Sequence, residues 1–379
     1  MNRYLFALCI FFISVVPTKA ITLSNDSEIS LITCAPGDMI YDCFGHTAIR
    51  VYDPAQKIDW VYNYGIYDFD VPNFELNFAK GYLKYKLGKG YFQKFIKVYT
   101  RDDRTITEQV LEFDSLQKQQ FFAFMEWNAL PENRYYFYDY FYDNCATRIR
   151  DVINRELNTD ICSNVVFEEE ALTLRDLIHT YAHNNAWSAL GIDMCMGVAI
   201  DKELSSCEYA FLPDYLQQSL AMATVENRPL VKDERILYQG SPRISTPFIK
   251  GPTFWLWLIS LVLLILYGSL KEAKLIALDS VLYGFVAFIG FFLLGLWFLT
   301  DHEPTAWNMN VLWAQPLLLL ALFLRKKVKA RFFQVWAILL VLILLNWLWL
   351  PQVLNTAFIP VIGLLSFRAY ATYKRLSKA

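Results

Sequence analysis

Apolar residues are distributed very unevenly along this chain. Between about residues 21 and 250 they are interrupted by charged and polar positions at the density of a globular domain. From Phe254 onward they gather into runs at 254–270, 275–299, 311–324, 332–350 and 353–367, broken only by short polar or basic stretches. Runs of that length predict about five membrane-spanning helices, the third and fifth of them short. The N-terminus follows a different pattern: Arg3, an apolar stretch over 5–16, then Pro17-Thr18-Lys19-Ala20. A basic start, a short apolar core and a small terminal residue predict a secretory signal over 1–20, with an uncleaved anchor as the alternative. The chain thus divides into 1–20, a globular part over 21–250 and a membrane part over 251–379.

Within the globular part the periodicity predicts a mixed α+β domain. Residues 47–52 and 60–64 are rich in β-branched and aromatic residues with the turn residues Asp53-Pro54 between them, a hairpin that begins directly after His46. Residues 71–78 look helical, and 84–87, 92–99 and 104–113 read as further strands set apart by Gly88, Gly90 and 101–103. A helix is expected over 115–129, capped by Asp114 or Ser115 and closed by Pro131. Another begins at Cys145, capped by Asp143 or Asn144, with Ile149, Val152, Ile153 and Leu157 on its buried stripe. Later helices fall over 173–183 and 213–223. Most of the sheet is expected between His46 and the helix at 115.

The loops between the apolar runs give an orientation. Lys271-Glu272-Ala273-Lys274, the basic stretch 325–331 and the tail 373–378 all fall on one side. Clustered Lys and Arg mark the cytoplasmic side, so the globular part faces outward, as the signal independently requires. The outward loop 300–310 carries Trp307 and His302, one of only four histidines. A net charge of −2 gives no reason to expect a nucleic-acid partner.

The candidate chemistry centres on Cys145. A thiol in the first turn of a helix faces unpaired backbone N–H groups and the positive end of the helix dipole, both of which favour thiolate. A nucleophilic thiol needs a base, and His46, at the start of a strand after Gly45, suits that role among His46, His179, His183 and His302. Asn63, on the following strand, is the polar side chain placed to orient the imidazole; satisfying a turn is its structural alternative. Arg148 and Asp151, one turn apart, are expected to form a local ion pair. His179 and His183 stand four apart on one helix, yet no acidic or thiol cluster joins them, so no metal and no cofactor is expected. Seven cysteines in an exported chain raise disulfides, with Cys34–Cys43 and Cys195–Cys207 as candidate pairs.

Pro36-Gly37, Phe44-Gly45-His46, Asn63-Tyr64-Gly65, Phe78-Ala79-Lys80-Gly81 and the long run Tyr142-Asp143-Asn144-Cys145-Ala146-Thr147-Arg148-Ile149-Arg150-Asp151 together resemble the family of the Lnb N-terminal periplasmic domain, a bacterial lipoprotein transacylase family. The loop with His302, Asn308 and Asn310, followed by Leu312 and Pro316, resembles that family's membrane part. The resemblance implies a permuted papain-like, NlpC-related fold with His46 and Cys145 as a dyad. Asn144, Tyr64, Arg148, His302, Asn308 and Asn310 become accessory or substrate-binding candidates. It implies intramolecular transfer of the sn-2 acyl chain of a diacylglyceryl-modified lipoprotein onto the α-amine of its N-terminal cysteine. The substrate is then a lipoprotein in membrane lipid, and the enzyme a multi-pass protein of the bacterial inner membrane with its catalytic domain in the periplasm. Cys43, three residues before His46, departs from the pattern. Two other readings fit a thiol in such a chain: a papain-like cell-wall peptidase or amidase, and a non-catalytic envelope receptor.

Overall fold

The computed structural model describes residues 21–378 apart from 40, 68–76, 78–79, 164, 166, 168–171, 183, 243 and 322. The predicted signal at 1–20, most of the predicted helix at 71–78, the motif residues Phe78 and Ala79, and His183 lie outside the described residues.

A seven-stranded antiparallel sheet forms the centre of the globular part. Its strands are β1 Glu28–Cys34, β2 His46–Asp53, β3 Ile58–Tyr67, β4 Lys84–Tyr91, β5 Ile106–Leu111, β6 Tyr135–Phe137 and, beyond a small β7–β8 hairpin (Thr224–Val225 and Arg228–Pro229), β9 Val231–Tyr238. The order across the sheet is β6-β4-β3-β2-β1-β5-β9. The expected hairpin after His46 is present, with Ile49 opposite Tyr62 and Val51 opposite Trp60. The sheet reaches further than expected, because β1 precedes the histidine and β9 returns from far along the chain to pair with β5.

The first departure from the sequence reading is at 92–99. This segment is not a strand: α1 spans Phe92–Arg101. Phe92, Phe95, Ile96 and Tyr99 recur at helical spacing and pack together against Ile32, Ala48, Val61 and Ile106 on one face of the sheet. Aromatic and β-branched content suggested a strand, but a three-to-four-residue period puts these side chains on one side only of a helix. β4, in turn, runs through Gly88 and Gly90 rather than stopping before them.

The other face of the sheet packs against α2 (Ser115–Asn128), α3 (Cys145–Leu157) and, later in the chain, a helix over Pro213–Met222. Ile29, Leu31, Ile49, Tyr62, Phe121, Met125, Ile149, Ile153, Leu216 and Leu220 form this main core. Asp114 and Gln117 cap α2 reciprocally, the Asp114 carboxylate accepting the Gln117 amide at 2.7 Å. A third layer, α4 (Leu174–Ala182), α5 (Ala186–Cys195) and the short α6 (Ser206–Tyr209), lies beyond α7, the Pro213–Met222 helix already placed on the sheet.

Beyond it stand α8 (Pro252–Ser269), α9 (Glu272–Leu299) and α12 (Lys326–Leu345), three helices long and apolar enough to cross a membrane. The expected span at 311–324 is instead two single turns, α10 (Asn310–Trp313) and α11 (Leu318–Ala321), separated at Pro316, whose missing N–H cannot continue a helix. The last expected span moves towards the C-terminus: α13 covers Ile359–Lys378 and brings Arg368 and Arg375 with it. Arg368 is buried, and it is tolerated because Asp279 on α9 receives it in two hydrogen bonds of 2.9 and 3.0 Å.

Candidate active site

α3 begins where the sequence placed it. Asn144 is the N-cap: its side-chain oxygen Oδ1 accepts the Ala146 and Thr147 amides at 2.8 and 3.0 Å, and the Thr147 hydroxyl accepts the Asn144 backbone amide at 2.8 Å. The same side chain donates to the carbonyls of Tyr140 and Phe211 at 2.9 and 2.8 Å. Asn144 is therefore fully committed to fixing the helix terminus. Cys145 follows as its first residue, and the cap leaves the Cys145 amide unclaimed.

His46 reaches Cys145 from the first position of β2, opposite Cys34 on β1. Gly45 makes that entry: its φ of +82° suits glycine, and a Cβ there would meet the Cys34 carbonyl at 2.9 Å. The imidazole Nε2 lies 2.6 Å from Asn63 Oδ1, so its other nitrogen is the one turned to the sulfur. Asn63 stands immediately before a register shift between β3 and β4, the kind of irregularity that re-aims a side chain out of the regular pleat. The rings of Tyr99, stacked at 6.0 Å, and Phe95 hold the imidazole from the α1 side.

The site's electrostatics favour charge separation. Burial raises the Cys145 thiol, but the neighbouring His46 cation, its hydrogen bond and the Thr47 and Ala146 amides outweigh it and leave the thiol below its ordinary value. His46 moves the opposite way: burial lowers it, and the Cys145 thiolate and Asn63 raise it overall. These are the two halves of one thiolate-imidazolium pair.

The other nominated residues separate into distinct places. The Tyr64 hydroxyl donates to Asn128 Oδ1 on α2, inside the core. Arg148 pairs with Asp143, not with Asp151 as the spacing suggested; Asp151 takes Arg150 instead, at 2.8 Å. The Arg148 guanidinium lies 4.1 Å above the ring of Tyr136, a residue that the sequence reading did not single out. Tyr136 is buried on the three-residue β6, and its hydroxyl has no hydrogen-bond partner among the described residues, although the Gly65 backbone lies close enough to act on it. Burial and the nearby Cys145 thiolate both push that phenol upward. A buried phenol near Cys145 with no committed acceptor is suited to receive an oxyanion. No pattern marks Tyr136, because β6 is too short to show a period.

An open cleft of about 310 Å³ adjoins the dyad on the Asn63 side, lined by Asn63, Phe95, Tyr99, Ile66, Lys89 and Lys94. A loop of the membrane part packs on the turn ahead of β4. The Asp301 amide donates to the Lys80 carbonyl at 2.9 Å, and Asp301 and His302 pack against Gly81, just ahead of β4. His302 is thus at the Gly81 turn, whereas Asn308 and Asn310 are buried in the seam between the two parts. Asn308 donates to the carbonyls of Met194 and Cys195 at 2.8 and 2.9 Å, and Asn310 to that of Asp193 at 3.1 Å. The same seam holds Asp193, which accepts from Arg175 at 2.8 Å and Asn355 at 2.7 Å and lies 2.7 Å from His179 Nε2.

A sequence profile of the Lnb N-terminal periplasmic domain matches residues 18–180, and one of the Lnb transmembrane domain matches residues 239–379. The chain belongs to the Lnb family. It is a membrane protein with a periplasmic portion, and the Cys145–His46 pair lies within the span matched by the Lnb periplasmic domain. No curated protein and no solved structure matches the chain.

Among the described cysteines of this Lnb chain none is bonded, which corrects both expected disulfides. Cys34 lies in the sheet under α1, while Cys43 is buried in a separate cluster with Phe44, Leu177 and Phe211. Burial and Asp42 push the Cys43 thiol up to about 12, which leaves it protonated and unreactive beside the dyad. Cys195 ends α5 at the seam; Cys207 stands elsewhere, beside Cys162.

Proposed function

We propose that this protein is a cysteine-dependent acyltransferase of the inner membrane that places an acyl chain on the α-amine of the N-terminal cysteine of lipoproteins. The observation that carries the reading is the buried Cys145–His46–Asn63 array at a helix N-terminus, in a domain against which a loop of the membrane part packs at Lys80 and Gly81. Its chain order, histidine strand before cysteine helix, fits a permuted papain-like arrangement.

The chemistry follows from the pair. The Cys145 thiolate attacks the carbonyl of a glyceride ester, and the oxyanion is received by the Cys145 amide and the Tyr136 hydroxyl. As the ester C–O bond breaks, the His46 imidazolium gives its proton to the departing glycerol oxygen, leaving a thioester on Cys145 and a neutral imidazole. The lipoprotein amine then attacks the thioester, His46 takes its proton, and the thiolate leaves. Contact with the membrane part favours amine over water by bringing a lipid-anchored acceptor to the site at high effective concentration. A cell-wall peptidase needs no such seam with several apolar helices.

Mass spectrometry of lipoprotein N-termini tests the reading. Cells with the intact protein are expected to carry an amide-linked acyl chain that Cys145→Ala and His46→Ala each abolish. A lyso-glyceryl group on the product identifies the lipoprotein's own ester as donor, as the resemblance implies, and an intact diacylglyceryl group identifies a separate lipid. Unchanged N-termini in both variants would overturn the proposal.

A further inference from the structure

Cys162 and Cys207 lie 45 positions apart in sequence and side by side in space. Cys162 sits in the turn after α3, packed into the main core, and Cys207 on the four-residue α6. Their sulfurs and an Asp160 carboxylate oxygen all lie within 4.8 Å of one another. Asp160 Oδ1 accepts the Cys162 amide at 3.0 Å and the Cys207 thiol at 3.7 Å, while Arg150 on α3 donates to the Cys207 carbonyl at 3.1 Å. The two residues differ in access: Cys162 is 3% exposed, and Cys207 is half-buried.

We propose that Cys162 and Cys207 form a structural disulfide in the mature periplasmic protein, joining the end of the catalytic helix to α6. Periplasmic thiols meet an oxidising environment, and a neighbouring pair is what a thiol oxidase converts. The oxidant is the disulfide of an extracytoplasmic thiol oxidoreductase. Cys207, the more accessible sulfur, attacks that disulfide as thiolate, forming a mixed disulfide and expelling one oxidant thiol. Cys162 then loses its proton, attacks the Cys207 sulfur and expels the second. Two protein thiols become one disulfide, and the oxidant's disulfide becomes two thiols.

The surroundings suit this step. The hydrogen bond from Cys162 and the charge of Arg150 lower the Cys207 thiol, while the same bond and burial raise Cys162, so attacker and resolver are already distinguished. A divalent cation fits the trio less well. It would meet the Arg150 guanidinium, and only three ligands converge there among the described residues.

The test uses the full-length protein and needs no activity. Cells are quenched in acid and dissolved in denaturant with N-ethylmaleimide, and the purified chain is digested and mapped without reduction. A peptide pair linked through Cys162 and Cys207 is expected in most copies, with Cys145 carrying the maleimide. Reduction of the detergent-solubilised protein is expected to lower Tm by roughly 5 °C or more, and Cys162→Ser should leave Cys207 open to labelling. Maleimide on both residues in most copies would overturn the proposal, as would stoichiometric zinc with both thiols released by a chelator.

Discussion

His46 serves the sulfur because its two nitrogens face different partners, and that arrangement predicts how the site responds to pH. With the Cys145 thiol lowered and the His46 imidazole raised, the charged pair occupies the interval between the two titrations. Alkylation of Cys145 by iodoacetamide should therefore level off at a lower pH than that of an ordinary thiol, whose rate climbs about tenfold per unit below its own titration. Turnover should fall on the acid side as the thiolate is protonated, and on the alkaline side as the imidazolium loses the proton it must donate. An alkylation rate that levels off no earlier than an ordinary thiol's would contradict the pair. Asn63→Ala frees the ring and should cost about 10–100-fold in kcat with less effect on KM; Tyr136→Phe, which removes only the hydroxyl, should cost about 100-fold. Cys145 and His46 were legible in the sequence because a helix cap and a glycine-histidine strand start are local signals. Tyr136 was not, since its role comes from the neighbours that folding supplies.

At the scale of elements, the seam between α4, α5 and the outward loops concentrates buried polar groups. Arg175 and Asp193 are each 1% exposed and answer one another, with Asp201 taking Arg175's other nitrogens at 2.7 and 2.9 Å. Removing one partner strands the other, so Asp193→Ala should destabilise the protein by about 3 kcal/mol, read as a lower Tm in detergent. The pH dependence carries both signs. Burial raises Asp193, but His179, Asn355 and Arg175 lower it further. Its contribution is complete above the ordinary carboxylate range and is lost as pH falls through its folded value. Asp193 lifts His179 above its ordinary value, so that contribution is complete below about pH 6.5 and is lost as pH rises through the raised value. An unaltered melt for Asp193→Ala at neutral pH would show the seam to be dispensable. Gly197 allows the close approach, because a Cβ there would lie 1.8 Å from the Ala306 carbonyl oxygen. Sequence periodicity found α2, α3 and α4 to within a residue or two, and it misread α1 because aromatic residues suit a strand and an amphipathic helix alike.

For the whole molecule, the basic loops predict which way the chain faces. A membrane-impermeant maleimide applied from the periplasmic side should label Trp349→Cys, in an outward turn, and should reach Val328→Cys only after permeabilisation. The reverse pattern would invert the orientation and separate the dyad from its proposed substrates. Both substituted positions are exposed, so neither tests packing. Local chemistry along the chain was sufficient to establish a globular part followed by apolar helices and the start of α3, and to single out Cys145 and His46 as candidates, because each depends on neighbours a few residues away. Only the tertiary structure could decide which thiols meet, that Asn308 and Asn310 clamp a seam rather than line the cleft, and that Tyr136 is buried near Cys145. Those facts depend on groups far apart in sequence, brought together by the sheet order and by the docking of the outward loops on α4 and α5. Hydrophobic period records which face of an element is buried, but not what it is buried against.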